Sequence, residues 1–488
     1  MKTFTLCLAV SLAVPGMSHA QSAASRSVFE RGACAVEVAV DEKIDCGILS
    51  VPENRSVPDS RMIQLPVLIF RSRAAQALPD PVMFLTGGPG NSALAGQQSG
   101  RSNPFLEARD QVLLEPRGAR LSKPSLDCPE INALKGEINA GRVRAASAQT
   151  GLVSAAVSCR ARLTEAGVDL NGYTSAEAAD DVEDLRVALG YPQINLYALS
   201  YGTRLALTVA RRHPASVRSM VLDSALPPEV DYDEMASANT WRALNAVFDA
   251  CGADPVCANA WPDPRGDFEA LVARADQERL PFGLSDATID ARGAEVVQAL
   301  GAALQDPRRI PLIPKVVGDA RAGRLEELGR WIAQSQGPSA FTFGLRLSVW
   351  CGEEAPFEDV GRVSAQTSLD LGLGGMDART ASPEMCAAWN VAPAPAVANE
   401  AVRSDIPTLI FAGEYDPSTP PQWGRSLLAN MPNAYFVQMP GLSHGASFNP
   451  CGGRMAFDFI NDPATPPVLT CVAKMRGADF AASGPNAD

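Results

Sequence analysis

The residues Asn195-Leu196-Tyr197-Ala198-Leu199-Ser200-Tyr201-Gly202-Thr203-Arg204 constrain this chain more than any other stretch. An apolar run reads as a strand. Ser200 stands at a sharp turn, and a helix follows, ending at His213-Pro214, where proline stops it. Strand, serine turn and helix in that order make a nucleophile elbow, which lifts a serine hydroxyl clear of a sheet. Such a turn is strained and its helix passes close to neighbouring backbone, so small residues must flank the serine. Gly202 meets that need downstream. Ala198 stands upstream, where glycine is usual.

A serine hydroxyl is a poor nucleophile without a general base, and histidine is the usual one. The chain has 3 histidines. His19 belongs to the leader described below. His213 lies at the far end of the helix that follows Ser200. That leaves His444, in the late loop Gly441-Leu442-Ser443-His444-Gly445, just past a strand at 435–437. The orienting acid is expected after the preceding strand, in Glu414-Tyr415-Asp416-Pro417. Asp416 is the candidate, because an Asp-Pro turn fixes its carboxylate, with Glu414 as the alternative. An oxyanion needs backbone N–H donors. Thr86-Gly87-Gly88-Pro89-Gly90 follows an early strand and lets backbone approach a substrate. The N–H groups of Gly88 and Tyr201 are the candidate donors. Serine, acid, histidine is the α/β-hydrolase order.

Short apolar runs at 65–70, 81–85, 111–114, 195–197 and 217–222 alternate with helical stretches such as Ala176 to Leu189. This predicts a mostly parallel sheet covered on both faces. From 228 to 403 helical patterns dominate (Met235 to Phe248, Gly293 to Leu304, Gly323 to Gln334) and strand signals are scarce. Strand character returns at 407–413 and 434–437. The expected architecture is an α/β-hydrolase fold with a large inserted helical cap. Core residues fall at 21–227 and 404–478, the cap at 228–403, and a loose tail at 479–488.

Residues 1–20 read as a secretory signal: Lys2, an apolar run from Phe4 to Val14, and Ser18-His19-Ala20 as a cleavage site. The run is too short to span a bilayer, and no later stretch approaches that length, so no membrane span is expected in the mature chain. Export, to the periplasm or the medium, follows. Besides Cys7 in the leader there are ten cysteines: Cys34, Cys46, Cys128, Cys159, Cys251, Cys257, Cys351, Cys386, Cys451 and Cys471. An even number in an oxidising compartment predicts disulfides. Pairing of neighbours along the chain would give five bridges, although spacing alone does not fix connectivity. No couple has C-x₂-C spacing, which argues against zinc. The net charge of −13 argues against a nucleic-acid partner. No cofactor is called for, and the expected partner is a peptide or small-molecule substrate.

Together these segments resemble the prolyl and tripeptidyl aminopeptidase branch of α/β-hydrolases, with its TAP-like C-terminal region. Thr86 to Gly90 resembles the HGGPG loop, with threonine for histidine. Glu115 to Pro124 resembles DxRGxGxSxP, imperfectly. Leu199 to Thr203 is similar to the elbow, Gly413 to Pro417 to the acid loop, and Ser443-His444-Gly445 through Cys471 to the C-terminal signature. The resemblance implies a secreted peptidase that removes residues from a free N-terminus by acyl transfer. It also directs attention to Ser348-Val349-Trp350-Cys351-Gly352-Glu353-Glu354, where Glu353 and Glu354 would bind the substrate ammonium. The same machinery would serve an esterase or amidase acting on a small molecule, because fold does not set substrate. A binding protein built on an inactive hydrolase fold would lack a triad member, and none is lacking.

Overall fold

In the computed structural model, residues 27–139, 145–284, 287–336, 340–359, 361–362 and 381–480 are described. The leader at 1–20 and the tail beyond 480 lie outside the described residues. Strands β1 (Val28–Arg31), β2 (Ile44–Pro52), β3 (Met62–Phe70), β4 (Val82–Leu85), β5 (Gln111–Leu114), β6 (Ile194–Leu199) and β7 (Val217–Asp223) precede a hairpin of β8 (Leu280–Leu284) and β9 (Ala287–Ala291). β10 (Thr408–Gly413) and β11 (Ala434–Met439) follow. Nine strands form one sheet in the order β1-β2-β3-β5-β4-β6-β7-β10-β11. The pairs from β1 to β5 are antiparallel, and those from β5 through β4 to β11 are parallel.

The apolar runs become central strands because both faces are covered. Ile410 packs with Leu207 and Val209 of the helix Tyr201–Arg212 on one face. Its neighbours Leu409 and Phe411 pack with Phe459 and Ile460 of the helix Pro450–Asn461 on the other. That period-two alternation is what a doubly covered strand requires. The ends of β4, β6, β7 and β10 meet at one rim, because Ala198 pairs with Leu85 and Leu222, and Asp223 with Phe411.

Between β7 and β10 the chain is mainly helical, from Tyr232–Ala253 to Pro383–Trp389. Leu244, Phe268, Leu300 and Ile332 of this segment share a buried cluster, which Tyr415 and Phe480 join from outside it. Three features depart from the sequence expectation. The β8–β9 hairpin interrupts the helical segment; Pro281 and Gly283 hide it, being poor strand formers. β1 and β2 extend the sheet by antiparallel pairing; β1 is only 4 residues long and carries charged residues. The helix expected from Gly323 begins at Glu326, because Gly323 has a φ of +88°. Disulfides join Cys34–Cys46, Cys128–Cys159, Cys251–Cys257, Cys351–Cys386 and Cys451–Cys471. Among the described residues no helix is long and apolar enough to cross a membrane.

Candidate active site

Ser200 connects β6 to the helix Tyr201–Arg212 with φ 58° and ψ −127°, a strained backbone for a residue other than glycine. Neighbours hold it there. The Ser200 N–H donates to the Asp223 carbonyl (3.0 Å), and its own carbonyl accepts from the Thr203 N–H (2.8 Å) and Oγ1–H (2.6 Å). Thr203 Oγ1 then accepts from the Leu226 N–H (2.8 Å). Gly202 is obligatory, since a Cβ there would lie 2.2 Å from the Leu85 carbonyl oxygen. Ala198 is fully buried between β4 and β7, so a methyl group is accommodated upstream of the serine.

His444 and Asp416 meet across two loops. His444 Nδ1 lies 2.9 Å from Asp416 Oδ2. Asp416 has no exposed surface, yet it is well supplied with donors: the Ser418 N–H (2.8 Å), the Thr419 N–H (2.9 Å) and Thr419 Oγ1–H (2.8 Å). Burial would raise its pKa, but His444 and the Thr419 donors outweigh burial and hold it below the ordinary carboxylate value. For His444, burial disfavours the imidazolium. The Asp416 carboxylate, its hydrogen bond and the charge of Asp223 prevail, so its pKa lies above the ordinary histidine value. With Nδ1 engaged, Nε2 is the nitrogen left to act on another group. Glu414 faces elsewhere and accepts from the Gly441 N–H (2.8 Å). His213 is held by Asp180 (2.7 Å) at the far end of the helix.

The glycine loop comes up against the serine. A Cβ on Gly87 would lie 3.0 Å from Ser200 Cβ. Gly88 and Gly90 take φ values of +119° and +120°, open to glycine alone. Arg346 donates to the Gly88 carbonyl, and the Thr342 N–H donates to the Gly90 carbonyl (2.9 Å). Tyr201 opens its helix, so its N–H has no acceptor one turn back.

Glu353 and Glu354 are not presented to a ligand as free carboxylates. Both are buried, at 4% and 2% exposure. Glu353 accepts from the Ser175 N–H (2.5 Å) and Oγ–H (2.5 Å), and Ser175 Oγ meets the Tyr201 hydroxyl at 2.7 Å. Glu354 pairs with Arg204 and accepts from the Tyr232 N–H (3.1 Å). Burial, with Asp233 adding to it, pushes the Glu354 carboxyl up to about 7 against the pull of Arg204. To bind a substrate ammonium, as the sequence suggests for this pair, either carboxylate would have to give up these internal partners. The end of the helix Phe343–Glu353 is buried, and carboxylates there need internal donors.

Two buried carboxylates escaped sequence reading. Asp223, at the end of β7, accepts from the Ala446 N–H (2.9 Å), the Ser447 N–H (2.8 Å) and Ser447 Oγ–H (2.5 Å). It thereby anchors the loop that carries His444. Glu115, at the aspartate position of DxRGxGxSxP, accepts from Ser92 Oγ–H (2.7 Å) and from the Ala93 (2.9 Å), Leu94 (3.2 Å) and Leu121 (3.1 Å) N–H groups. It ties the continuation of the glycine loop to the 115–121 segment. A carboxylate at the C-terminal end of a buried strand was the one available signal for Asp223.

A strained serine at the rim of a largely parallel sheet, with an Asp–His pair on neighbouring loops, defines an α/β-hydrolase. The family described as alpha/beta hydrolase fold matches residues 80–245, and that described as TAP-like protein matches residues 375–471. The chain thus has an α/β-hydrolase fold with a TAP-like C-terminal region, and is a serine hydrolase. Serine protease Hip1 of Mycobacterium tuberculosis is 25% identical over 458 residues, 86% of each chain. Tripeptidyl aminopeptidase of Streptomyces coelicolor is 29% identical over 227 residues, 44% of this chain and 41% of that one. Among solved structures, proline iminopeptidase of Mycobacterium smegmatis aligns with 14% identity and a TM-score of 0.38, over 86% of this chain and 98% of that one.

Proposed function

We propose that this enzyme is an exported exopeptidase that releases residues from free peptide N-termini through an acyl-enzyme. The observation that carries the chemistry is the 2.9 Å contact between His444 Nδ1 and Asp416 Oδ2, on a loop next to the Ser200 elbow. Ser200 Oγ attacks the scissile carbonyl carbon while His444 Nε2 takes its proton. Asp416 fixes the imidazole and balances the imidazolium. The N–H groups of Gly88 and Tyr201 donate to the developing oxyanion. Collapse expels the amine, which receives its proton from His444. Water, activated by the same histidine, then releases the acyl product and restores Ser200.

Peptide as substrate is supported by the relatives named serine protease and tripeptidyl aminopeptidase. Free-terminus specificity rests on the family resemblance. An ammonium could reach Glu354 only by competing with Arg204, and Glu353 only by competing with Ser175. Export is supported by the leader at 1–20 and by five disulfides, which suit an oxidising compartment. The test is a panel of peptidyl arylamides with free and acetylated amino termini. A free-terminus preference of tenfold or more in kcat/KM is expected. Equal cleavage of both forms would refute the exopeptidase reading. Turnover of short acyl esters with none of any peptide would make the enzyme an esterase.

A further inference from the structure

Three departures from the family motifs converge on one place. Thr86 replaces the histidine of HGGPG, Glu115 the aspartate of DxRGxGxSxP, and Arg120 its second glycine. Thr86 and Arg120 line an open groove of about 720 Å³, with Ser92, Phe341, Phe343 and Arg346 among its other walls. Glu115 lies beneath, bonded to Ser92 and to the Leu121 N–H beside Arg120.

The groove begins at the reaction centre. Thr86 precedes Gly87, whose bare α-carbon lies against Ser200, and Arg346 donates to the Gly88 carbonyl. A substrate carbonyl seated on this loop therefore has the groove beside it. The local charge is opposite to that of the whole chain, which is −13. No lining residue is acidic. Lys135 Nζ stands 5.3 Å from the centre of the Phe343 ring. The Arg346 guanidinium lies 3.8 Å over Trp350 and shares its charge with Asp233 and Glu354. Arg120 is exposed and in no ion pair among the described residues. A guanidinium beside aryl walls suits a carboxylate carried on an apolar stem, because the planar fork binds both oxygens.

We infer that this groove is a substrate subsite for a carboxylate, held by Arg120 with Phe341 and Phe343 as its apolar walls. The carboxylate is the peptide's C-terminal group or an acidic side chain. The inference rests on the peptidase reading, and binding can be measured apart from catalysis. Calorimetry on the Ser200→Ala chain would compare an alanyl tetrapeptide acid with its C-terminal amide, then amidated peptides bearing glutamate or glutamine at each position in turn. On the order of tenfold tighter binding of one carboxylate form is expected. That preference should fall to twofold or less with Arg120→Ala added, and be partly kept with Arg120→Lys. A response to the acid–amide pair assigns the terminal carboxylate; a response to a glutamate–glutamine pair assigns a side chain. The absence of any preference, or one that Arg120→Ala leaves unchanged, overturns the inference. Failure of Ser200 in the unaltered chain to react with a fluorophosphonate would instead overturn the hydrolase reading.

Discussion

Asp223 Oδ2 accepts from both the N–H and the Oγ–H of Ser447, at 2.8 and 2.5 Å, across 224 positions of sequence. The end of β7 therefore holds the loop that carries His444, and the main-chain carbonyl of the same Asp223 accepts from the Ser200 N–H. One residue thus places both the Ser200 turn and the His444 loop. Asp223→Asn should lower kcat by about 10²-fold, the cost of misplacing a base by roughly 1 Å. It should also move the acid limb of the pH–rate profile downward, since the Asp223 charge helps raise the His444 pKa. Steady-state kinetics across pH checks this; an unshifted limb with unchanged kcat would contradict it.

Gly413 ends β10 directly under the histidine loop. A Cβ there would lie 2.1 Å from the Ser443 carbonyl oxygen, a contact that backbone atoms cannot absorb without movement. Gly413→Ala should displace His444 and cut kcat/KM by about 10²-fold, while Ser447→Ala, which keeps the loop's N–H contacts to Asp223, should cost less. Kinetics and a thermal melt on both variants check this ordering.

Glu353 and Glu354 differ in what their loss should do. Glu353→Gln weakens the acceptor for Ser175 and with it the support of the Tyr201 hydroxyl, a loss of about 1–3 kcal/mol in stability. Above about pH 7, where Glu354 is ionised, Glu354→Gln leaves the buried Arg204 without its counter-charge, and about 3–5 kcal/mol is expected. Denaturant unfolding measures both. If either variant instead keeps its stability and loses the preference for free amino termini, the carboxylate serves the substrate ammonium.

In the proposed mechanism His444 must be neutral to accept the serine proton. Its pKa is raised, by Asp416 and Asp223 against burial, so the acid limb of kcat/KM should fall above about pH 6.5, the ordinary value. The sign for stability is opposite. The charged pair stabilises fully below the unfolded histidine pKa, and this contribution fades as pH rises through the folded value. Asp416→Asn should shift the acid limb downward and reduce kcat by up to about 10⁴-fold, as expected when a base loses its orienting carboxylate.

The local parts of the site were legible in the sequence because each is written in consecutive residues. The elbow around Ser200, the Asp-Pro turn of Asp416 and the glycine loop are of this kind. His444 was reachable because the chain has only 3 histidines. What could not be read was how distant residues meet. Nothing near Asp223 points to Ser447, nothing near Glu115 to Ser92, and nothing near Glu353 to Ser175. For the same reason two acidic residues looked available to a ligand when folding gives them internal partners. The β8–β9 hairpin was hidden by Pro281 and Gly283, whose poor strand propensity is overruled by pairing.

The central claim is that Ser200 is a nucleophile activated by His444 and Asp416. Intact-mass analysis after treatment with a fluorophosphonate tests it most directly. A single adduct is predicted, mapping to Ser200, absent in Ser200→Ala and strongly slowed in His444→Ala. No adduct on the unaltered chain, or one that persists in Ser200→Ala, would contradict the account.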